Sequence, residues 1–207
     1  LFVLLCFLFV INGANLIDGF NGLLAINLII INSILAYINL ADGINEFSVL
    51  IIGQIIILFS FLLFNFPSAK IFLGDSGSYF LGSLVALNVI ITNNLNPDYS
   101  SFFFCTLLFY LFFEVFFSFF RKIAQKKSPI YPDDKHLHML VFKKVSFIFG
   151  KDKGNYISSL VINLGYLSFV LPAFVFAEDP LVSRYWFFSL IVIYLVIYLR
   201  LYRLTKN

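Results

Sequence analysis

Long apolar runs dominate this sequence and constrain its fold more than any other feature. Seven of them approach the length needed to cross a bilayer, whose hydrocarbon core of about 30 Å requires roughly 20 apolar residues of helix. They are centred near Phe7, Ile30, Ile57, Leu87, Leu111, Leu167 and Ile193. Barrel strands would give short alternating stretches instead of continuous runs. We therefore predict an all-α, polytopic membrane protein with about seven transmembrane helices.

The composition excludes a soluble globular domain. Hydrophobic residues make up 61% of the 207 residues and charged residues only 12%, which is far from the average of soluble proteins. The two cysteines, Cys6 and Cys105, both fall inside apolar runs, so we expect packing roles and no disulfide framework or metal site. The net charge of +3 reflects an uneven distribution among loops rather than a nucleic-acid-binding surface.

Basic residues predict the orientation of the helices, because loops rich in Lys and Arg stay in the cytoplasm. When the seven segments are joined in order, Lys70, the cations between residues 121 and 153 and those after residue 199 share one side, and only Arg184 falls on the other. We therefore predict a multi-pass protein of the inner (plasma) membrane. The polar stretches expected on its cytoplasmic side are residues 12–22, 65–78 and 121–155.

The chain is predicted to form one integral membrane domain over residues 1–207, with a cytoplasmic loop at residues 121–155. It begins with Leu1 rather than Met, and the first apolar run, Leu1–Ile11, is short for a complete span. We therefore expect the later part of a longer protein. The predicted bounds of the second to fifth helices are Leu23–Leu40, Val49–Phe66, Phe80–Ile91 and Phe102–Phe120.

The first polar stretch, NGANLIDGFNG, places four polar side chains at regular intervals. Asn12, Asn15, Asp18 and Asn21 recur every three residues, so on a helix they would form one slowly drifting stripe. An ionisable group at membrane depth favours a functional site. The alternative is a helix C-terminus that is closed by the neighbouring glycines, with the Asn side chains pairing loose carbonyls.

The second stretch, FLGDSGS, places Asp75 between glycines, followed by Ser76, Ser78 and an apolar run. This pattern is typical of a helix start, where free amides and the positive end of the dipole favour an anion. The alternative is that Asp75 or Ser78 only caps the fourth helix.

The third stretch, SPIYPDDKHLHM, holds both histidines of the chain, His136 and His138. Two His without Cys cannot build a four-ligand structural zinc site. At i and i+2 the rings converge only where the chain is extended, and the apolar pattern that follows predicts a short amphipathic helix at the interface, with Lys143 and Lys144 toward the headgroups. The alternative is a solvated basic segment attracted to anionic lipid.

A carboxylate also lies within the fifth apolar run. Glu114 precedes Arg121 by seven residues, two turns along the same helix face. Because an unpaired carboxylate in lipid is costly, we favour a structural pairing with Arg121 or with another helix over direct participation in chemistry.

Taken together, in this order and with this topology, the three stretches resemble the polyprenyl-phosphate N-acetylhexosamine-1-phosphate transferases. This family includes phospho-MurNAc-pentapeptide transferase and undecaprenyl-phosphate N-acetylglucosamine-1-phosphate transferase. NLIDGFNGLLA is similar to its Asn-rich Asp-Gly motif, KIFLGDSGSYFLG to its Gly-Asp-x-Gly-Ser motif and SPIYPDDKHLHM to its histidine motif.

The resemblance implies an enzyme that transfers a sugar 1-phosphate from a UDP-N-acetylhexosamine to a polyprenyl phosphate such as undecaprenyl phosphate, with release of UMP. The implied cofactor is Mg²⁺, with Mn²⁺ as an alternative. The implied setting is the synthesis of precursors for peptidoglycan, lipopolysaccharide or another cell-envelope polysaccharide. The implied partners are these two substrates and the membrane, without nucleic acid, and a homodimer stays open.

The resemblance also assigns roles to individual residues. Asp75 is the implied metal ligand and Asp18 a second metal-binding, catalytic carboxylate, while His136 and His138 hold the diphosphate or act in catalysis. Two carboxylates suffice for Mg²⁺, which keeps several waters and also binds substrate phosphates. The implied substrate-binding residues are Asn12, Asn15, Asn21, Asn65, Lys70 and Phe72, with Phe72 stacking on uracil.

Three departures from the family pattern affect these expectations. The family's Asp-Asp motif belongs to helices that would precede this sequence, so we expect residues 1–207 alone to be inactive. Met139 stands where a further His is common, and Asp134 where Arg is common in the bacterial N-acetylglucosamine branch. Asn21 in place of a second Asp favours the simpler-sugar branch over the phospho-MurNAc-pentapeptide branch.

Two hypotheses from other functional classes stay open. Carboxylates at membrane depth, Asp18 and Glu114, are compatible with a cation-coupled transporter, although transporters usually place such groups near the midplane. The expected absence of the first half is compatible with a non-catalytic membrane remnant.

Overall fold

In the computed structural model, residues 2–129, 131 and 133–206 are described, and within them the chain forms nine helices and no strand. Ile130 and Pro132 of the histidine motif lie outside the described residues. The prediction of an all-α protein is confirmed. The helices are α1 (Phe2–Ile17), α2 (Leu23–Ala41), α3 (Asn45–Asn65), α4 (Gly74–Leu95), α5 (Ser101–Leu107), α6 (Phe109–Ala124), α7 (Leu137–Phe149), α8 (Lys151–Val175) and α9 (Pro180–Lys206).

Five helices in the described residues, α2, α3, α4, α8 and α9, are long and apolar enough to cross a membrane. A sixth span results if α5 and α6, which are bent by 74° at their junction, are counted together. The apolar part of α1, Leu4–Ile17, is shorter than a span. All seven predicted segments are therefore helical and the chain is polytopic, but five or six helices, rather than about seven, meet the length of a span.

The bend between α5 and α6 divides the predicted fifth helix. Leu108 lies at the junction with φ −89° and ψ 0°, and neither Pro nor Gly marks the position. Ser100 accepts a hydrogen bond from the backbone N of Phe102 and so caps α5. Beyond the bend, the rings of Phe109 and Phe113 stack with centroids 4.9 Å apart. Large aromatic side chains therefore pack beside a bend that contains no helix-breaking residue.

Helix α1 packs between α4 and α6 at two glycines. A Cβ atom on Gly13 would lie 2.0 Å from the carbonyl oxygen of Leu111 in α6, and one on Gly82 of α4 would lie 2.7 Å from the Cβ of Ala14. Both distances are below any real contact of a Cβ atom, so only glycine permits these approaches. The register of α1 against α4 and α6 is therefore fixed by contacts that involve the backbone.

Buried amides join the spanning helices to one another. Asn39 of α2 donates to Oγ1 of Thr92 in α4 at 2.9 Å. Asn163 of α8 donates to the carbonyl oxygen of Leu23, at the start of α2, at 3.1 Å. Side-chain hydrogen bonds of this kind between membrane helices contribute about 0.6 kcal/mol each on average. They tie α4 and α8 to α2, which lies in the centre of the core.

The predicted amphipathic helix of the third polar stretch is present as α7, which packs against α8 and α9. Its C-terminal end carries three exposed apolar residues, Phe147, Ile148 and Phe149, and the ammonium group of Lys144 lies 5.9 Å from the ring centroid of Phe147. A position at the membrane interface stays a prediction. The first turn of α7 places the histidines against the end of α1, where the candidate site forms.

Candidate active site

The end of α1 is joined to the start of α4 by the side chain of Asn15. Its amide donates to Oδ1 of Asp75 and to Oγ of Ser78, both at 3.0 Å. Helix α4 begins at Gly74, six residues before the predicted Phe80, so Asp75 lies in its first turn, where the helix dipole favours a negative charge. Leu73, at the N-cap position, forms no side-chain cap bond, and Oγ of Ser78 donates to the carbonyl oxygen of Gly74 at 3.0 Å, so Ser78 does not cap the free amides of this helix.

Asp18 follows α1 directly and lies in the electrostatic field of Asp75. Because α1 ends at Ile17, the predicted polar stripe is helical only at Asn12 and Asn15. Burial first, and then the negative charge of Asp75, raise the pKa of Asp18 to about 6. The charge of Asp75 thus acts on Asp18, the other carboxylate that the resemblance assigns to the metal, although 57 positions separate the two in the chain (75 − 18).

Asn21 and Asn65 are engaged in holding the loop after α1. The side-chain amide of Asn21 donates to the carbonyl oxygen of Pro67 at 2.7 Å, and Oδ1 of Asn65 accepts from the backbone N of Gly22, also at 2.7 Å. Gly22 has φ +77°, and a Cβ there would lie 2.8 Å from the ring of Phe66. These amides therefore position the loop that carries Asp18, and their predicted contacts with substrate stay predictions.

Lys70 and Phe72 are both exposed in the connection between α3 and α4, with 74% of Phe72 accessible. Neither lines the cavity described below. The ring of Phe72 is open for stacking, which is compatible with the predicted contact with uracil but does not test it.

The two histidines converge. His136 is the extended residue that precedes α7 (φ −70°, ψ 152°), whereas His138 lies in its first turn. Their rings are parallel within 3° with centroids 5.4 Å apart, and both residues are buried. Rings at positions i and i+2 were expected to converge only where the chain is extended, and the backbone of His136 meets this condition.

Glu114 is bound to the first histidine and not to Arg121. Oε1 of Glu114 lies 3.1 Å from Nδ1 of His136 and accepts from the backbone N of Leu137 at 3.1 Å, while Oε2 accepts from the hydroxyl of Tyr194 in α9 at 2.6 Å. The predicted partner Arg121 was wrong, and the predicted pairing with another helix is confirmed. Two turns of helix separate Glu114 from Arg121, about 10.5 Å of rise, and Arg121 has a nearer anion.

That anion is Asp133, three residues before His136. Arg121 donates to both of its carboxylate oxygens, at 2.8 and 3.1 Å, and to Oγ of Ser118 at 3.1 Å. Burial alone would raise the pKa of Asp133, but the hydrogen bonds from Arg121 and the backbone N of Lys135, with the charge of Arg121, lower it to about 2. The carboxylate is therefore ionised at neutral pH and anchors the loop.

His138 is a neutral group at neutral pH. Burial lowers its pKa to about 4, against a raising effect of Glu114. Its ring meets that of Phe20 edge-on at 5.5 Å, and Nδ1 is buried without a hydrogen-bond partner in the described part of the chain. A neutral imidazole with a free nitrogen can donate or accept one hydrogen bond to a ligand.

A cavity of about 750 Å³ lies between the end of α1, α6 and the histidine segment. It brings together four predicted residues, Asn12, Asn15, His136 and His138, whereas Asp18 and Asp75 lie outside its lining and connect to it through Asn15. The polar lining residues that the sequence analysis missed are Ser118, Lys122, Asp133 and Asn155. The position of Asp133 close before the histidines was the one available signal.

Among the described residues, no group of three or more His, Cys, Asp or Glu side chains could hold a metal ion. Asp18 and Asp75 are the two carboxylates at this end of the bundle that the resemblance assigns to the metal. A carboxylate whose pKa is raised by a second carboxylate nearby, as that of Asp18 is by Asp75, fits a divalent cation that takes its other ligands from water and phosphate, as Mg²⁺ does.

Comparisons with known proteins agree with these features. Residues 1–93 match the model of glycosyl transferase family 4. The chain is 34% identical over 147 residues to an undecaprenyl-phosphate alpha-N-acetylglucosaminyl 1-phosphate transferase of Thermotoga maritima, which covers 70% of this chain and 43% of that protein. A probable undecaprenyl-phosphate N-acetylglucosaminyl 1-phosphate transferase of Bacillus subtilis is 34% identical over 131 residues, 61% of this chain and 36% of that protein.

A phospho-N-acetylmuramoyl-pentapeptide-transferase of Streptococcus equi subsp. zooepidemicus is 43% identical over 77 residues, which is 36% of this chain and 22% of that protein. The chain spans less than half the length of these curated relatives. No solved structure matches it.

Proposed function

We propose, because this chain belongs to glycosyl transferase family 4, that the whole protein transfers an N-acetylhexosamine 1-phosphate from a UDP-sugar to a polyprenyl phosphate. An oxygen of the lipid phosphate attacks the phosphorus that carries the sugar, a new P–O–P bond forms, and the bond to UMP breaks as UMP leaves with its electron pair. The observation that carries the proposal is the meeting of Asp75, Asn15 and the histidine pair, which come from three distant polar stretches, at one end of the bundle.

The divalent ion in this proposal is Mg²⁺, with Mn²⁺ as the alternative, and Asp18 and Asp75 would hold it. When bound, it would neutralise charge on the diphosphate during the transfer. Asn15 fixes Oδ1 of Asp75 through its hydrogen bond, and the end of α1 keeps Asp18 near it. These residues therefore supply a negative site of fixed shape before any ligand arrives.

The residues of the cavity would bind the phosphates and the sugar. His138, which is neutral and lines the cavity, would form a hydrogen bond to the substrate, and His136 would face the departing UMP. Lys122, whose ammonium group is held by the carbonyl oxygens of Pro129 and Tyr131 at 3.2 and 2.8 Å, would contribute positive charge. Asn12, Asn21, Asn65, Lys70 and Phe72 would complete the donor site, with Phe72 on the uracil ring.

The site would lie on the cytoplasmic side of the inner membrane, where a water-soluble UDP-sugar and a membrane-bound acceptor can meet. The product would be a lipid diphosphate sugar, a precursor of peptidoglycan or of another cell-envelope polysaccharide. Because the chain spans 43% of the length of the Thermotoga relative, we expect residues 1–207 expressed alone to be inactive. A homodimer of the whole protein is compatible with the proposal but is not required by it.

The test is an assay of the purified full-length protein with radiolabelled UDP-N-acetylglucosamine or UDP-N-acetylgalactosamine and undecaprenyl phosphate. We expect UMP release with equimolar lipid-linked sugar, loss of both after EDTA, and recovery on addition of Mg²⁺. Residues 1–207 alone, assayed in parallel, should release no UMP. A full-length protein that releases no UMP from either donor would rule the proposal out, and turnover that survives EDTA would rule out the role of the metal.

A further inference from the structure

The carboxylate of Glu114 lies at the point where α6, α7 and α9 meet. It is buried, with 1% of the residue accessible, and both of its oxygens are engaged. Oε1 faces Nδ1 of His136 and the backbone N of Leu137, and Oε2 accepts from the hydroxyl of Tyr194. Two donors directed at one carboxylate, the backbone N of Leu137 and the hydroxyl of Tyr194, suit its ionised form, which only accepts hydrogen bonds. The bond to His136 therefore requires a hydrogen on Nδ1.

This arrangement leaves Nε2 as the nitrogen of His136 that is not bound to Glu114. Nε2 lies 3.5 Å from Oδ1 of Asp133, and the ring stacks on His138 at the wall of the cavity. A carboxylate on one imidazole nitrogen fixes the tautomer and the ring orientation, so that the other nitrogen can exchange a proton or a hydrogen bond with a ligand. We propose that Glu114, held by Tyr194, is a positioning residue that directs Nε2 of His136 toward the substrate.

A row of tyrosines on α9 supports this position. Tyr194, Tyr198 and Tyr202 follow one another at four-residue intervals with parallel rings. The hydroxyl of Tyr198 donates to the carbonyl oxygen of Lys135 at 2.9 Å, and the ammonium group of Lys135 lies 5.7 Å from the ring centroid of Tyr202. Helix α9 thus contacts the chain immediately before His136 and the carboxylate that binds its ring.

The competing explanation is that Glu114 serves only the fold, because it also accepts from the backbone N of Leu137 at the start of α7. The two explanations differ in how variants combine. A residue that acts through His136 loses its effect when the imidazole is gone, whereas a residue that only stabilises the fold lowers activity in either background.

The inference rests on the proposed function, and its test uses the full-length enzyme in the UMP-release assay. We expect Glu114→Gln, which keeps the shape and removes the charge, to lower kcat by roughly ten- to a hundred-fold, as is typical when a carboxylate that orients an imidazole is lost. KM for the UDP-sugar should change by less than about three-fold if binding contacts are intact. In the His136→Ala background, Glu114→Gln should cause no further loss of kcat.

Tyrosine variants provide a second measurement if Glu114→Gln does not fold. Tyr194→Phe removes the hydroxyl that holds Glu114, while the matched control Tyr166→Phe removes a buried hydroxyl of α8 that donates to the carbonyl oxygen of Leu107 at 2.6 Å. We expect a several-fold lower kcat for Tyr194→Phe only, and similar melting temperatures for both.

Effects of Glu114→Gln and His136→Ala that multiply, a kcat of Glu114→Gln within two-fold of wild type, or equal losses in the two tyrosine variants would each overturn the positioning role. A wild-type protein without UMP release would instead overturn the proposed function.

Discussion

At the scale of single residues, three carboxylates at this end of the bundle each have a different partner. Asp75 is held by Asn15, Glu114 by His136 and Tyr194, and Asp133 by Arg121. The sequence motifs indicated Asp75 and the histidines, because those residues are polar within an apolar sequence, and the structure places them at the same end of the bundle. They could not identify the partner of Glu114. A spacing of seven residues indicates that Glu114 and Arg121 share a helix face, but it does not indicate which loop packs against Glu114.

The role of Asp75 gives a prediction at this scale. Asp75→Asn in the full-length protein should abolish UMP release, because it removes the negative charge needed for the divalent ion while keeping an oxygen that can accept from Asn15. Asp152→Asn is the matched control, since Asp152 is also an exposed carboxylate in the first turn of a helix, α8, but does not accept a hydrogen bond from Asn15. The control should keep wild-type turnover, and both variants should melt within a few degrees of wild type.

Turnover of Asp75→Asn that still depends on Mg²⁺ would contradict this assignment. An unfolded Asp75→Asn beside an intact Asp152→Asn would indicate a structural role for the Asn15–Asp75 bond instead.

At the scale of helices, apolar runs located the spans well and their ends less well. Helix α2 begins at the predicted Leu23, whereas α4 begins at Gly74, within a Gly- and Ser-rich stretch of low helix propensity. The bend at Leu108 was not predictable from the sequence, because neither Pro nor Gly marks the position. Tertiary contacts decided both cases.

The close packing of α1 between α4 and α6 gives a prediction at the scale of helices. Gly13→Ala would place a methyl group 2.0 Å from the backbone oxygen of Leu111, which cannot move without shifting α6. We expect it to destabilise the protein by at least about 1–3 kcal/mol, as overpacking does, and to lower the melting temperature. The matched control is Gly53→Ala in α3, where nothing lies within 4 Å of the new Cβ.

Gly53→Ala should leave the melting temperature unchanged or raise it, because Ala favours a helix over Gly by about 1 kcal/mol. Equal melting temperatures for the two variants would show that α1 and α6 are free to separate.

At the scale of the whole molecule, the charge of each connection between helices follows from the end of the bundle at which that connection lies. The turn between α1 and α2, the connection between α3 and α4 and the loop before α7 meet at one end, through bonds such as Asn21 to Pro67 and the contact of Phe20 with His138. At the opposite end, Ser100 donates its backbone N–H to the carbonyl oxygen of Ala177 at 2.7 Å. The sequence predicted this division correctly, because it follows from the order of spans and not from their packing.

Accessibility in cells tests the predicted orientation. In full-length protein with every cysteine, including Cys6 and Cys105, replaced by Ser, Asp98→Cys and Lys127→Cys introduce single exposed thiols at opposite ends of the bundle. A membrane-impermeant maleimide should label Asp98→Cys in intact cells and Lys127→Cys only after permeabilisation, because Lys-rich loops stay inside. The reverse pattern would place the candidate site outside the cell and exclude a cytosolic UDP-sugar as its donor.

The glycine contacts of α1 have a consequence for how the protein responds to its host lipid. Bilayers differ in thickness, and a span that does not match the hydrocarbon core tilts or distorts the lipid around it. Helix α3, in which only 17% of the apolar window is buried, can tilt on its neighbour α2. The packing of α1 against α4 and α6 involves backbone atoms and leaves no room for sliding. We therefore expect a thinner or thicker bilayer to change the tilt of α3 before it changes the packing of α1 against α4 and α6.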